Sequence, residues 1–366
     1  MSAALPLPPG VDERPAPGHA VHAGYGVRVR YLSTLYVRNH RARVGHRRGS
    51  LVVKTPDGHQ RVPLEGIDGL VMLGGGQITS QALEACVKRG VRVAALRQSG
   101  AVRFVVGHKT GGNVHLRIAL YGAVTDAERS LALSRAVVAA KLQNSGRVVG
   151  RWSRDATDPA TSESLSWRAG QILSRVSRLE QVCTPDQVRG VEGDAARIYF
   201  RGIRELLTNA ELEFLTRRKR PPRDPVNSAL SFCYGLLVTE FIGAIESVGL
   251  DYQMGFFHRP RSGRPSLALD LAEELRPLTD RFVVSLVRRR QLRQDHFVST
   301  PGDAVYLSDE GRTALIRAWE RHKEREIRHP LLRRPVGRWA LPSIQATLLA
   351  RHLRGDIPAY PPFVMP

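Results

Sequence analysis

The sequence predicts an α+β fold, with an N-terminal β-rich domain (sandwich or roll) carrying one helix, followed by a large all-α domain. Three observations lead there. Short β-branched runs with period-two patches crowd residues 31–106. A Gly-containing break, HKTGGN, occupies 108–113. Beyond it the apolar period lengthens to helical spacing, with Ala and Leu dominant.

Residues 1–23 are Pro-rich and read as a flexible leader. They lack a basic segment before an apolar stretch, so no signal peptide is expected. LYV at 35–37, ARV at 42–44, SLVVKT at 50–55 and QRVPLEGIDGLVML at 60–73 read as strands, with a turn at Pro56-Asp57-Gly58. ITSQALEACVKRG at 78–90 reads as a helix capped by Thr79 or Ser80 and stopped by Gly90. VRVAAL (91–96) and AVRFVV (101–106) complete a domain spanning 24–110. Helical spacing then covers 119–149, 163–180, 186–212, 225–248, 266–290, 310–327 and 341–353, giving a helical domain over 111–353. Prolines make 354–366 an extended tail, either docked or irregular.

Charge points to a partner. Lys plus Arg number 55 against 34 Asp plus Glu, a formal net charge of +21, and all but six of the basic residues are Arg. A polyanion is the expected ligand. With 42% hydrophobic residues, disorder throughout is excluded. Cys86, Cys183 and Cys233 are too few for a disulfide scaffold or a Cys-based zinc site. No apolar run approaches the length of a membrane span, so a soluble intracellular protein is expected. Gly74-Gly75-Gly76 lacks the flanking residues of a nucleotide-binding loop.

Three segments carry candidate chemistry. In GVEGDAARIYF (190–200), Glu192 sits between glycines, small Ala195 and Ala196 permit close approach, and Arg197 and Tyr199 follow. Glu192 and Asp194 are equally readable as acids favoured near a helix start. In LTRRKRPPRDPVN (215–227), Arg217, Arg218, Lys219, Arg220 and Arg223 surround a rigid Pro-Pro ahead of a helix capped by Asp224. Such a loop can position phosphates or be a solvated charge run. GLDYQMGFFH (249–258) leads through Arg261 and Arg264 into SLALDLAEELRP (266–277). There Asp270, Glu273 and Arg276 share a helix face beside an apolar stripe, where acids are costly unless paired or metal-bound. Glu192, His258 and Glu273 together would make a carboxylate–imidazole site suited to Mg²⁺ or, given the histidine, Mn²⁺. Spacing alone leaves open that His258 is a locally satisfied loop histidine.

The motifs KLQN (141–144), GVEGxAARxYF (190–200), RPPxDPVN (220–227), GLD (249–251), GFxH (255–258) and GRPSLALDLxEExRP (263–277) occur in order. From Tyr31 to Phe363 the chain resembles the CRISPR-associated endonuclease/integrase of the adaptation stage. Its ending, HLRGDxxxYPPF, is similar to the subtype I-C form.

The resemblance implies that Glu192, His258 and Glu273 hold Mg²⁺ or Mn²⁺, that Asp270 supports them, and that Arg276 lies near a bound phosphate. It puts Tyr199, Asn227 and Tyr234 around the site and makes Arg264 a strand contact. It implies a metal-dependent DNA endonuclease/integrase, a hydrolase that also inserts spacer DNA into a CRISPR array by 3′-hydroxyl attack at the repeat ends. The implied partners are double-stranded or branched DNA, a second copy through the β domain, a small ferredoxin-like adaptation protein, and the iron–sulfur adaptation exonuclease. The implied setting is the cytoplasm of a prokaryote, with no membrane. Two other readings compete: a non-catalytic DNA-architectural protein, in which the acids are mere helix-face residues, and an RNA-directed metal-dependent nuclease.

Overall fold

In the computed structural model, which describes residues 21–22, 27–29, 33–97, 99–107, 114–208, 210–218 and 221–366, the chain divides into two compact units at residues 112 and 113. The expected leader, apart from 21–22, and the 108–113 break lie outside the described residues.

The first unit contains β1 (Val21–His22), β2 (Val27–Val29), β3 (Ser33–Val37), β4 (Arg43–Arg47), β5 (Ser50–Thr55), β6 (Gly58–Pro63), β7 (Ile67–Leu73), β8 (Gln77–Ile78), α1 (Ser80–Lys88), β9 (Arg92–Leu96) and β10 (Val102–Val106). A six-stranded sheet has the order β1-β2-β3-β7-β9-β10, and a four-stranded sheet has the order β6-β5-β4-β8. Leu35, Leu70 and Val93 from the first sheet meet Val44, Leu51 and Val62 from the second in one core. The 60–73 run is two strands rather than one. Pro63 has no N–H to extend the ladder, and a 3-10 turn at Leu64–Gly66 redirects the chain. Thr79, not Ser80, caps α1 by accepting from Ala82 N at 3.2 Å. The triple glycine is a crossing of chain segments: a Cβ on Gly76 would stand 3.0 Å from Met72 and 3.2 Å from the Ala42 carbonyl oxygen.

The second unit is built from α2 (Val114–Thr125), α3 (Ala127–Arg154), α4 (Pro159–Gln181), α5 (Pro185–Leu206), α6 (Pro225–Ser247), α7 (Ser266–Ala272), α8 (Arg276–Arg288), α9 (Asp309–Glu324) and α10 (Leu341–Arg354). Two hairpins, β11–β12 (Phe297–Ser299, Val305–Leu307) and β13–β14 (Glu326–Arg328, Pro335–Gly337), correct the all-α expectation. Three-residue strands are too short to show a period. Two expected helices are each split. Asp126 interrupts 119–149 and caps α3, accepting from Glu128 N and Arg129 N. Pro277 interrupts 266–290, since it cannot donate to the Glu273 carbonyl one turn back.

α3 packs on α4 and α5, and α6 packs on α7, α8 and α10. By length and apolarity α6 alone among the described helices could cross a membrane, but 78% of its apolar window is buried within the protein. Beyond α10 the tail has no regular structure, and it is docked, with Tyr360, Phe363 and Met365 buried.

Candidate active site

Four elements of the helical unit aim polar side chains at one point. On α5, Pro185 occupies the first turn and Thr184 with Gln187 forms a capping box. The buried stripe of α5 runs Val188, Ala195, Tyr199, Gly202 and Ile203. Glu192 falls within that stripe, so its carboxylate points inward. On α3 the same logic turns Lys141 inward, between Val137 and Ser145 of the buried face.

The third element is the loop before α7. Gly255 packs so closely that a Cβ there would stand 2.7 Å from Ser266 and 2.8 Å from Asp270 Oδ2. Glycine thereby lets the following amides reach Asp270. Oδ2 accepts from Phe256 N (2.7 Å) and Phe257 N (3.0 Å), and Oδ1 accepts from His258 N (2.8 Å). His258 Nδ1 donates to the same Oδ1 at 2.7 Å, leaving Nε2 directed at Glu273 Oε1, 3.9 Å away. Burial raises the Asp270 carboxyl, and these hydrogen bonds only partly oppose the rise. Asp270 is fully buried with both oxygens used, so it orients His258 rather than touching a substrate.

The fourth element is the α7–α8 junction. It holds Glu273, 2% exposed, against Arg276 Nη1 at 2.7 Å. Lys141 Nζ lies between the two carboxylates, 2.6 Å from Glu273 Oε2 and paired with Glu192 Oε1. Burial disfavours a Glu273 carboxylate, but Arg276, Lys141 and His258 more than offset it and hold the group well below the usual carboxylate range. Burial likewise disfavours the Lys141 ammonium, and Glu192 and Glu273 reverse the effect.

The residues fit a hard divalent cation by donor chemistry. Two carboxylates contact one ammonium, an imidazole nitrogen lies 3.9 Å from one of them, and the imidazole is fixed by a carboxylate at its other nitrogen. Glu273 Oε2 is buried without a hydrogen bond and has only the charge contact to Lys141. Among the described residues no three His, Cys, Asp or Glu side chains stand in ligand positions, and the Lys141 ammonium contacts both acids.

A cavity of about 430 Å³ adjoins this point. Tyr234 stands between Arg217 and Arg276, whose guanidinium carbons lie 5.3 and 4.8 Å from its ring centroid. Its hydroxyl donates to Asp280, whose carboxyl burial pushes up to about 6. Tyr199 lines the cavity floor, almost fully buried. Arg197 reaches the rim and pairs with Asp194 at 3.2 Å.

The remaining basic residues divide. Arg217 lines the cavity, whereas Arg218, Arg223 and Arg261 are exposed and do not line it. Arg264 is half-buried, and Lys219 and Arg220 lie outside the described residues. Asn227 requires a correction. It is fully buried, and its amide is consumed by Arg217, Arg218 N, Thr216 O and Asp224. It shapes the basic loop and cannot reach DNA.

Sequence reasoning assigned no role to Lys141, Asp280 or Glu274. Glu274, next to Glu273 but facing away, accepts from Tyr360 Oη (2.5 Å), Gln345 Nε2 (2.8 Å) and Phe363 N (2.7 Å). Burial pushes its carboxyl up to about 8. Asn144 completes this latch, donating to Glu274 O and Phe363 O. The signal was present as two consecutive acids in an apolar run, which cannot both face one cavity.

The family model described as CRISPR associated protein Cas1 matches residues 35–321. A Rhodospirillum rubrum protein named CRISPR-associated endonuclease Cas1 is 39% identical over 343 residues, covering 91% of this chain and 98% of that protein. A Geobacter sulfurreducens fusion of a CRISPR-associated exonuclease Cas4 and an endonuclease Cas1 is 34% identical, covering 81% of this chain and 53% of the fusion. Among solved structures, a casposase bound to integration product superposes with a TM-score of 0.77 at 22% identity, covering 89% of this chain and 92% of that one. A chain of a Cas6-RT-Cas1–Cas2 complex gives 0.77 at 19% identity, covering 93% of this chain and 37% of that one. At these identities the two structures speak to fold.

Proposed function

Since the chain belongs to the Cas1 family of CRISPR-associated proteins, we propose that it is a metal-dependent DNA endonuclease/integrase that inserts spacer DNA into a CRISPR array. The observation that carries this reading is the convergence of Glu192, Glu273 and the Asp270-oriented His258 beside Arg276.

A divalent cation, Mg²⁺ or Mn²⁺, held by Glu192, His258 Nε2 and Glu273 would supply Lewis-acid polarisation of the phosphodiester. Everything else is work for the chain's own side chains. Asp270 fixes the His258 tautomer so that Nε2 presents a lone pair. Arg276, braced on Glu273 and on the Tyr234 ring, holds a non-bridging phosphate oxygen. Arg217 and Arg197 hold the flanking backbone. The 3′-hydroxyl of a captured fragment attacks phosphorus at the repeat end. A new P–O bond forms to the repeat's 5′-phosphate, the bond to the flanking strand's 3′-oxygen breaks, and the hydroxyl proton passes to solvent, which protonates the leaving 3′-oxygen. No covalent protein nucleophile is required, and water in place of the hydroxyl gives endonuclease cleavage.

Partners follow from the same reading. In this reading the β-rich unit pairs two copies and a small companion related to Cas2 bridges the pairs; the structural neighbour taken from a Cas6-RT-Cas1–Cas2 complex supports a Cas2-type companion. Fusion of a Cas4 exonuclease to a relative supports a similar iron–sulfur exonuclease acting with this chain. The ending HLRGDIPAYPPF favours a subtype I-C system in a prokaryotic cytoplasm. The test is strand transfer of an oligonucleotide into a supercoiled plasmid with Mn²⁺. The wild type should join the DNAs and His258→Ala should not, and equal joining by both would remove His258 from the mechanism.

A further inference from the structure

A second cavity, of about 440 Å³, lies on another face of α8. Arg276, Pro277 and Asp280 line the first cavity, whereas Leu278, Arg281, Phe282, Ser285, Arg288 and Arg289 line the second. The latter set follows i, i+3/i+4, i+7 spacing and so forms one stripe. Arg151 from the end of α3, Arg325 following α9 and Arg338 after β14 close the cavity opposite it.

Six guanidiniums thus face one concave space that contains a single carboxylate. That carboxylate, Asp155, pairs with Arg151 at 3.9 Å and acts on Arg281 at longer range, where burial and the neighbouring arginines still hold the guanidinium below its ordinary value. Arg281, Arg288, Arg289, Arg325 and Arg338 make no ion pair among the described residues. Like charges gathered without a counter-ion repel one another, and the effect is visible in the groups themselves. Burial, together with Arg281 and Arg325, brings the Arg338 guanidinium down to about 10. Its Nε is buried without a hydrogen-bond partner, while Nη1 donates to His322 Nδ1 at 3.0 Å. His322 is clamped between Phe282 and Trp319, with ring centroids 4.6 and 5.7 Å away, and cannot swing out. Burial, then Arg338, Arg325 and Arg281, push it down to about 3, so it adds no counter-charge and no further cation.

We propose that this cavity binds phosphate groups of nucleic acid at a place separate from the Glu192–His258–Glu273 centre. The inference rests on the reading of the chain as a DNA-joining enzyme and adds a second anchoring point to it. Guanidinium forks match phosphate oxygens in a bidentate manner, which suits a clustered arginine wall. Arg288, Arg289 and Arg325 are exposed at the rim while Arg281 and Arg338 are half-buried within. An anion seated here therefore continues outward, as a polymer does and a small enclosed metabolite does not. From Arg276 to Arg288 the helix rises roughly 18 Å at 1.5 Å per residue. One rigid rod would then hold DNA both at the reacting phosphate and several nucleotides away, setting the register of the strand.

The test uses the full chain and the variant Arg288→Gln/Arg289→Gln/Arg325→Gln, whose exposed substitutions leave the core intact. Duplex affinity is measured by fluorescence anisotropy over a salt series. Joining of a short branched oligonucleotide confined to the Glu192 centre serves as the internal control. The variant should bind long duplex at least tenfold more weakly, with the log K against log salt slope smaller by about two to three, and should join the short substrate at the wild-type rate. In the wild type, the His322 ring signals should move on adding duplex, because a bound phosphate favours the imidazolium, and inorganic pyrophosphate should compete only at far higher concentration. Unchanged affinity and slope would overturn the proposal. So would His322 signals that answer to pyrophosphate or to poly-glutamate but not to DNA, which would assign the cavity to a free phosphate ligand or to an acidic protein. A wild type that binds DNA through this cavity but neither cuts nor joins it would instead refute the catalytic reading.

Discussion

His258 Nδ1 donates to Asp270 Oδ1 at 2.7 Å, and the same carboxylate gathers the backbone N–H groups of Phe256, Phe257 and His258. One buried acid therefore sets both the shape of the loop and the direction of the imidazole. Asp270→Asn would turn an amide N–H toward at least one of those donors. Metal affinity or strand-transfer rate should fall about 10- to 100-fold, as for the loss of a carboxylate behind a ligating histidine. A Mn²⁺ activation curve checks this: the variant's midpoint should move to higher Mn²⁺, and an unchanged curve would count against the orienting role.

Lys141 balances Glu192 and Glu273. Lys141→Met leaves two acids facing each other, one of them almost fully buried, and should cost about 3 kcal/mol of stability without metal. Because a divalent ion would restore the balance, Mn²⁺ should raise the melting temperature of Lys141→Met by more than that of the wild type. Equal shifts would show that the acids do not share the ion.

The tail latch should be a stability element. Tyr360→Phe removes the donor to Glu274 Oε1 in a fully buried setting. A loss of about 1–2 kcal/mol is expected, read as a lower urea midpoint at unchanged slope. Because Glu274 adjoins Glu273, deleting residues 357–366 should lower both stability and strand transfer.

Acid should destabilise the helical unit through His322. Its folded value, about 3, lies below the unfolded value of 6.5. Between those values the unfolded chain binds a proton that the folded chain refuses, so stability is complete above pH 6.5 and declines as pH falls toward 3. At pH 5 the loss should be on the order of 1–2 kcal/mol. Urea midpoints at pH 7 and pH 5, for wild type and His322→Gln, isolate the effect. The variant should lose less on acidification, and equal losses would exclude His322 as the cause.

Much of this was legible in the sequence because it is local. A cap at Thr79 or Ser80 and the β-branched strands follow from short-range rules, and Glu192, His258 and Glu273 sit in recognisable motifs. What was not legible is long-range. Lys141 lies in a motif of its own, but only the packing of α3 on α5 brings it to Glu192. Asn227 looked available in a basic loop, yet its amide closes that loop. Helical spacing ran unbroken over 266–290, whereas Pro277 separates α7 from α8, and without that break Glu273 and Glu274 could not point to opposite sides. The arginine-lined cavity gathers residues from α3, α8, α9 and the β14 turn, a grouping that no linear spacing reveals.

In the proposed mechanism Glu192, His258 and Glu273 share one divalent cation. Crystals grown in Mn²⁺ and measured for its anomalous signal test it most directly. One peak should appear about 2.1 Å from both carboxylates and from His258 Nε2, with the Lys141 ammonium displaced from between the acids. A peak elsewhere, or Lys141 still bridging Glu192 and Glu273 at saturating Mn²⁺, would contradict it.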